Sequence, residues 1–189
     1  LSIENFNNFQ KIKLDEINKT FKVSITRPFI VISFHPVTRP EEIYDNDIEL
    51  FLESLFSIEK LFLVFTSSSS DFGGKKFNLI IKDWVKKNSE RSAYVESFGK
   101  NAYFSLLSMA RFMIGNSSSG LLESMNFKLP VINVLPRQKG RLHNDNVISV
   151  RNNSNELLEA IDLATSDNFI NMCGRGKNIF DAKLDRSEE

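Results

Sequence analysis

Phe112-Met113-Ile114-Gly115-Asn116-Ser117-Ser118-Ser119-Gly120-Leu121-Leu122-Glu123-Ser124-Met125-Asn126-Phe127-Lys128-Leu129-Pro130-Val131-Ile132-Asn133-Val134 reads as strand, turn, helix and strand in immediate succession. The runs 112–115 and 131–134 are short, apolar and rich in β-branched or bulky residues, as strands buried on both faces are. Between them, the small residues of 116–120 let the chain turn sharply into a helix expected over about 121–127. Connections this short between buried strands imply parallel pairing with right-handed crossovers.

The same alternation continues on both sides. Upstream, Phe29-Ile30-Val31-Ile32-Ser33-Phe34 is a buried strand bounded by Pro28 and His35-Pro36. The spacing of Ile48, Phe51, Leu52, Leu55 and Phe56 then predicts a crossover helix over about 41–57. Strand 61–65, helix 75–87, strand 93–95 and helix 102–111 follow. Downstream, strand 147–150 leads to helix 156–164, with Ser154 as its expected cap. About six strands alternating with helices give an α/β, doubly wound parallel sheet. The expected organisation is a polar lead-in at 1–26, a Rossmann-like lobe at 27–165, and a C-terminal tail or the start of a cross-over helix at 166–189.

Ligands of such sheets sit outside the carboxyl ends of the strands. Three strand exits are chemically loaded. In the turn 115–120, serine hydroxyls and exposed amides suit an anion such as phosphate, while Glu123, one turn inside the helix, suits sugar hydroxyls. An ordinary capped helix, with Asn116 or a serine as cap and Glu123 balancing the dipole, fits the same residues. His35-Pro36-Val37-Thr38 closes the first strand: the imidazole can donate to a phosphate, with Thr38 and Arg39 adding donors, or it can be satisfied by backbone. The loop 136–146 places Arg137, Lys139 and Arg141 around Gly140, cations that can close over a diphosphate or simply be solvated. Ser67–Ser70 reads as a flexible loop and Tyr103 as a packing residue at a helix edge.

The composition excludes several classes. Of 189 residues, 24 are basic and 24 acidic, so no net charge gathers nucleic acid or an anionic membrane. The single cysteine, Cys173, makes no internal disulfide, and no Cys/His cluster has metal-ligand spacing. No run approaches the ~18 apolar residues of a membrane span. Neither metal nor cofactor is expected, and a reducing, cytoplasmic setting is.

His35-Pro36-Val37-Thr38, the run 113–120 with Glu123, Pro130-Val131-Ile132-Asn133, and Arg137-Gln138-Lys139-Gly140-Arg141 followed by Asp145-Asn146-Val147 together resemble the hydrolysing UDP-N-acetylglucosamine 2-epimerases of the sialic-acid type. The resemblance runs from about Arg27 to Gly176. It implies a two-lobed fold of the glycosyltransferase-B kind, of which this chain is the second lobe, without the N-terminal catalytic lobe. It also implies a homo-oligomeric full-length enzyme that converts a UDP-N-acetylhexosamine to a free N-acetylmannosamine-type sugar and UDP by elimination and hydration. Carried over by position, His35 and Arg137 take part at the diphosphate and in the catalytic cleft. Ser117, Ser118 and Gly120 hold phosphate, Glu123 holds the ribose and Tyr103 flanks the uracil. Two alternatives stand beside this reading: the donor-binding lobe of a glycosyltransferase, and a regulatory module without ligand.

Overall fold

Strand β1, Phe29–Ser33, is buried along its whole length. Ile30 and Ile32 enter one apolar cluster and Phe29 and Val31 another, the period-two split of a strand lying between two helical layers. The computed structural model describes residues 9–36, 45–67 and 74–180. Within them, β1 is followed by β2 (Phe62–Thr66), β3 (Ser92–Val95), β4 (Met113–Gly115), β5 (Val131–Val134) and β6 (Val147–Val150). All pairings are parallel, in the order β3-β2-β1-β4-β5-β6. That is the doubly wound order, with its reversal between β1 and β4.

The helices are α1 (Leu14–Phe21), α2 (Asp45–Ser54), α3 (Gly74–Lys87), α4 (Gly99–Leu107), α5 (Ser118–Leu122), α6 (Ser154–Thr165) and α7 (Asp167–Arg175). Phe51 of α2, Phe77 and Ile81 of α3, and Leu157 of α6 fill one side of the sheet. Ile17 of α1, Phe104 and Leu106 of α4, and Leu121 of α5 fill the other. None of the helices among the described residues is long and apolar enough to cross a membrane.

The structure departs from the sequence expectations at several helix ends. The helix expected over 121–127 starts at Ser118, because the Ser117 hydroxyl caps it by accepting from the Ser119 amide at 3.4 Å, and it gives way to a 3-10 turn at Ser124–Phe127. The helix expected over 102–111 starts at Gly99 and ends at Leu107, where the Ser108 hydroxyl donates to the Ser105 carbonyl at 2.8 Å. Asn153, not Ser154, caps α6: its Oδ1 accepts from the Glu156 amide at 3.0 Å. The region expected as a tail contains α7, capped by Ser166 and buried through Cys173. The expected lead-in contains α1. There the Ile12 amide donates to the Ser105 hydroxyl at 2.8 Å, and Phe9 sets its ring edge-on to Phe104 and Phe127. Thr38 and Arg39 lie outside the described residues.

Candidate functional site

The site is built where β1 and β4 run side by side. Ser33 stands opposite Gly115 in the register. Gly115 has φ +145°, and a Cβ there would lie 2.0 Å from the Ser33 carbonyl oxygen, so only glycine lets the two main chains come this close. The next residue, Asn116, is 1% exposed. Its amide donates to the Ser33 carbonyl at 3.1 Å. Its side-chain Oδ1 accepts from the His35 amide at 2.7 Å and its Nδ2 donates to the His35 carbonyl at 2.8 Å. Its own carbonyl accepts from Arg137 Nη1 at 3.1 Å and from Gln138 Nε2 at 2.8 Å. Asn116 therefore ties together the exits of β1, β4 and β5 instead of capping α5.

Above this junction lies an open cavity of about 410 Å³. Ser33 and His35 line it from the β1 exit, and Ser117, Ser119 and Glu123 from the α5 side. Thr66 and Ser67 close it from the β2 exit, and the stretch 97–100 with Tyr103 and Phe104 from the β3 exit and α4. His35 Nε2 lies 3.2 Å from the Ser33 hydroxyl. The Ser119 hydroxyl donates to Glu123 Oε2 at 2.6 Å, which fixes the carboxylate at the wall. Burial pushes the half-buried Tyr103 phenol up to about 12; a hydrogen bond with Ser119 opposes the shift and the Glu123 charge adds to it. The cavity thus offers hydroxyl, imidazole and ammonium donors around one pinned carboxylate and an aromatic wall.

Of the residues expected at a site, the structure brings His35, Tyr103, Ser117 and Glu123 to this one cavity. Ser118 and Gly120 do not line it. Ser118 begins α5, and Gly120 packs on Val131 and Met113, with a Cβ there 3.0 Å from Val131 Cγ1. Arg137 sits in the neighbouring loop against Asn116. That loop lines a separate cavity of about 460 Å³ with Gln138, Lys139, Gly140 and Arg141. Farther along the same loop, Asn144 and Asn146 are buried anchors. Asn146 Nδ2 donates to the Ser124 hydroxyl at 2.8 Å and to the Leu129 carbonyl at 2.6 Å, holding the start of the 3-10 turn that follows α5 and the chain just past its end.

Sequence reasoning missed Thr66, Ser67, Ser97, Phe98 and Lys100 as wall residues, although each ends or follows a strand whose exit the sheet order turns toward the crevice. It also gave Ser119 no role. Among the described residues, no group of three His, Cys, Asp or Glu side chains could hold a metal ion.

A crevice at the reversal point of a doubly wound parallel sheet places the chain in the Rossmann-like α/β class, whose ligands sit at that point. The sequence profile of the UDP-N-acetylglucosamine 2-epimerase family matches residues 2–183, and the chain belongs to that family. It is 33% identical over 167 residues to the GDP/UDP-N,N'-diacetylbacillosamine 2-epimerase (hydrolyzing) of Campylobacter jejuni, covering 88% of this chain and 42% of the relative. It is 28% identical over 158 residues to polysialic acid biosynthesis protein P7 of Escherichia coli, covering 83% of this chain and 40% of that protein. The solved UDP-GlcNAc 2-epimerase of Methanocaldococcus jannaschii, in complex with UDP-GlcNAc and UDP, shares the fold with a TM-score of 0.65 at 19% identity, over 94% of this chain and 47% of its own. The chain therefore spans about two-fifths of the length of the curated relatives it matches. The family match favours the epimerase reading over the glycosyltransferase alternative.

Proposed function

We propose that this chain is the UDP-holding lobe of a hydrolysing 2-epimerase acting on a UDP-linked N-acetylhexosamine. The observation that carries the reading is the convergence of His35, Tyr103, Ser117 and Glu123 on one cavity at the β1/β4 crevice. Tyr103 flanks the uracil, Glu123 accepts from the ribose hydroxyls, and Ser117 with His35 donates to the diphosphate, with Arg137 approaching from the β5 loop. Ser118 and Gly120 shape α5 and make no contact in this arrangement. The sugar is UDP-GlcNAc or a diacetamido analogue, and the diacetylbacillosamine enzyme among the relatives supports testing the analogue first.

The reaction in which this lobe takes part is an anti elimination. A base takes the proton at sugar C2, UDP departs, and water adds back with inverted configuration at C2. Oriented donors around the diphosphate stabilise the charge that grows on departing UDP, a task they perform without touching C2. The base and acid for C2 come from a part of the protein outside these residues.

Calorimetry with UDP and an assay for UDP release test the reading. The chain is expected to bind UDP and to release none from UDP-GlcNAc or its diacetamido analogue. Absence of heat at millimolar UDP, or turnover at the rate of a complete two-lobed enzyme, overturns it.

A further inference from the structure

The geometry points to Asn116 as the positioning residue of this site: it touches no ligand, its side chain sets the His35 main chain from behind, and its main-chain carbonyl receives Arg137. The inference rests on the reading above, in which His35 and Arg137 face the diphosphate. It follows from the completeness of the Asn116 bonding. All four of its polar groups are engaged, on Ser33, on both main-chain groups of His35, and on Arg137 with Gln138. The residue is 1% exposed and lies outside the cavity lining.

The chemistry needs an amide at this position. β4 ends at Gly115, so no ladder residue is left to pair with His35. Pro36 follows and has no N–H with which to continue the strand. The His35 peptide groups then require a partner that donates and accepts within one short planar group, which asparagine provides and aspartate or leucine does not. Because the Asn116 carbonyl also receives Arg137 and Gln138, one residue fixes the β1 exit and the cationic β5 loop relative to each other. The nucleoside end has other supports: Tyr103 stands on α4, and Glu123 is held by Ser119. Loss of the Asn116 side chain should therefore loosen the His35 side of the phosphate end, while the main-chain bonds to Arg137, Gln138 and Ser33 stay, and spare the nucleoside end.

Titrating UDP and uridine into the wild-type chain and into Asn116→Ala separates the two ends. The expected result is a fall in UDP affinity of about tenfold or more, equivalent to about 1.4 kcal/mol, with uridine affinity changed less than about twofold. Equal weakening of both ligands marks a general structural role and overturns the proposal. Amide hydrogen exchange gives a second readout without ligand, and for it Asn116→Leu, which lacks the accepting oxygen at similar size, serves if the alanine variant fails to fold. In the wild type, the His35 amide should be protected like that of Ile32 inside β1, and in either variant its protection should fall at least tenfold while that of Ile32 holds. Exchange of wild-type His35 at the rate of an open loop, or unchanged protection in the variants, overturns the clamp. If the wild type binds no UDP, the functional reading fails, and the exchange data still decide the fate of Asn116.

Discussion

Gly115→Ala probes the closest approach in the molecule. The new Cβ would stand 2.0 Å from the Ser33 carbonyl oxygen and 2.6 Å from its carbon. Carbon and oxygen that are not bonded rest at roughly 3.3 Å or more, so β4 would have to withdraw by about 1.3 Å. Neither strand can yield easily: the colliding atoms are main chain, and every residue of β1 is buried. A withdrawal on that scale stretches the bond from the Asn116 amide to Ser33, now 3.1 Å, out of range. Losing that bond inside the protein costs about 1–3 kcal/mol, and holding alanine in a sparsely populated backbone region about 1–3 kcal/mol more.

The sum, roughly 2–6 kcal/mol, is a large part of the 5–15 kcal/mol that stabilises a typical domain. Urea unfolding followed by circular dichroism reads it directly. With a slope of about 2 kcal/mol per molar, a loss of about 4 kcal/mol lowers the midpoint by about 2 M. A variant whose midpoint lies within about 0.3 M of the wild type would refute the argument, because it would mean that β4 can stand off from β1 without penalty.

Gly176→Ala is the contrasting case. Its Cβ also meets an atom at 2.0 Å, but that atom is the terminal methyl of Met125. The thioether can swing away, so the expected loss in the same urea experiment is under about 1 kcal/mol, and a loss above about 3 kcal/mol would count against it. Asn153→Ala should destabilise by about 1 kcal/mol through the lost cap of α6, and Ser154→Ala by a few tenths; thermal melts that rank them the other way would return the cap to Ser154. Tyr103 gives a pH signature. Its phenol titrates near 10.0 when unfolded and is pushed up to about 12 in the fold, so the unfolded chain loses this proton first and stability falls as pH rises from 10.0 to about 12. The fall attributable to it is at most about 3 kcal/mol. Tyr103→Phe should flatten that slope, and identical slopes in the two proteins would remove the burial argument.

The sheet and the place of its crevice were legible because both depend on local chemistry. Buried parallel strands announce themselves as short β-branched runs, and Gly115 followed by serines marks a tight exit into a helix. α1 was hidden by composition: Leu14, Ile17 and Phe21 have helical spacing, but the lysines, asparagines and acidic residues around them make the segment look like a solvated lead-in. The same holds for α7, whose inward residue is one cysteine. The Asn116 clamp had no sequence signature, since its partner His35 lies 81 positions away and only the β1/β4 pairing makes them neighbours. Ser119 went unassigned for a subtler reason. A serine in a serine-rich turn looks redundant until the helix starts at Ser118, which puts residues 119 and 123 one turn apart on the same face.

Those two arrangements bear on how much chemistry the crevice can perform. Glu123 is the one carboxylate among the described residues that line the cavity, and Ser119 already occupies one of its oxygens. With a serine hydroxyl on one oxygen and a ribose diol on the other, both oxygens of the carboxylate are engaged and neither is aimed at a carbon-bound proton. If UDP lies as proposed, Glu123 cannot serve the ribose and the sugar C2 together. The imidazole of His35 faces the same limit, because a group donating to the diphosphate is not available to take the C2 proton. Under that proposal, holding the nucleotide and breaking the carbon–hydrogen bond fall to different groups.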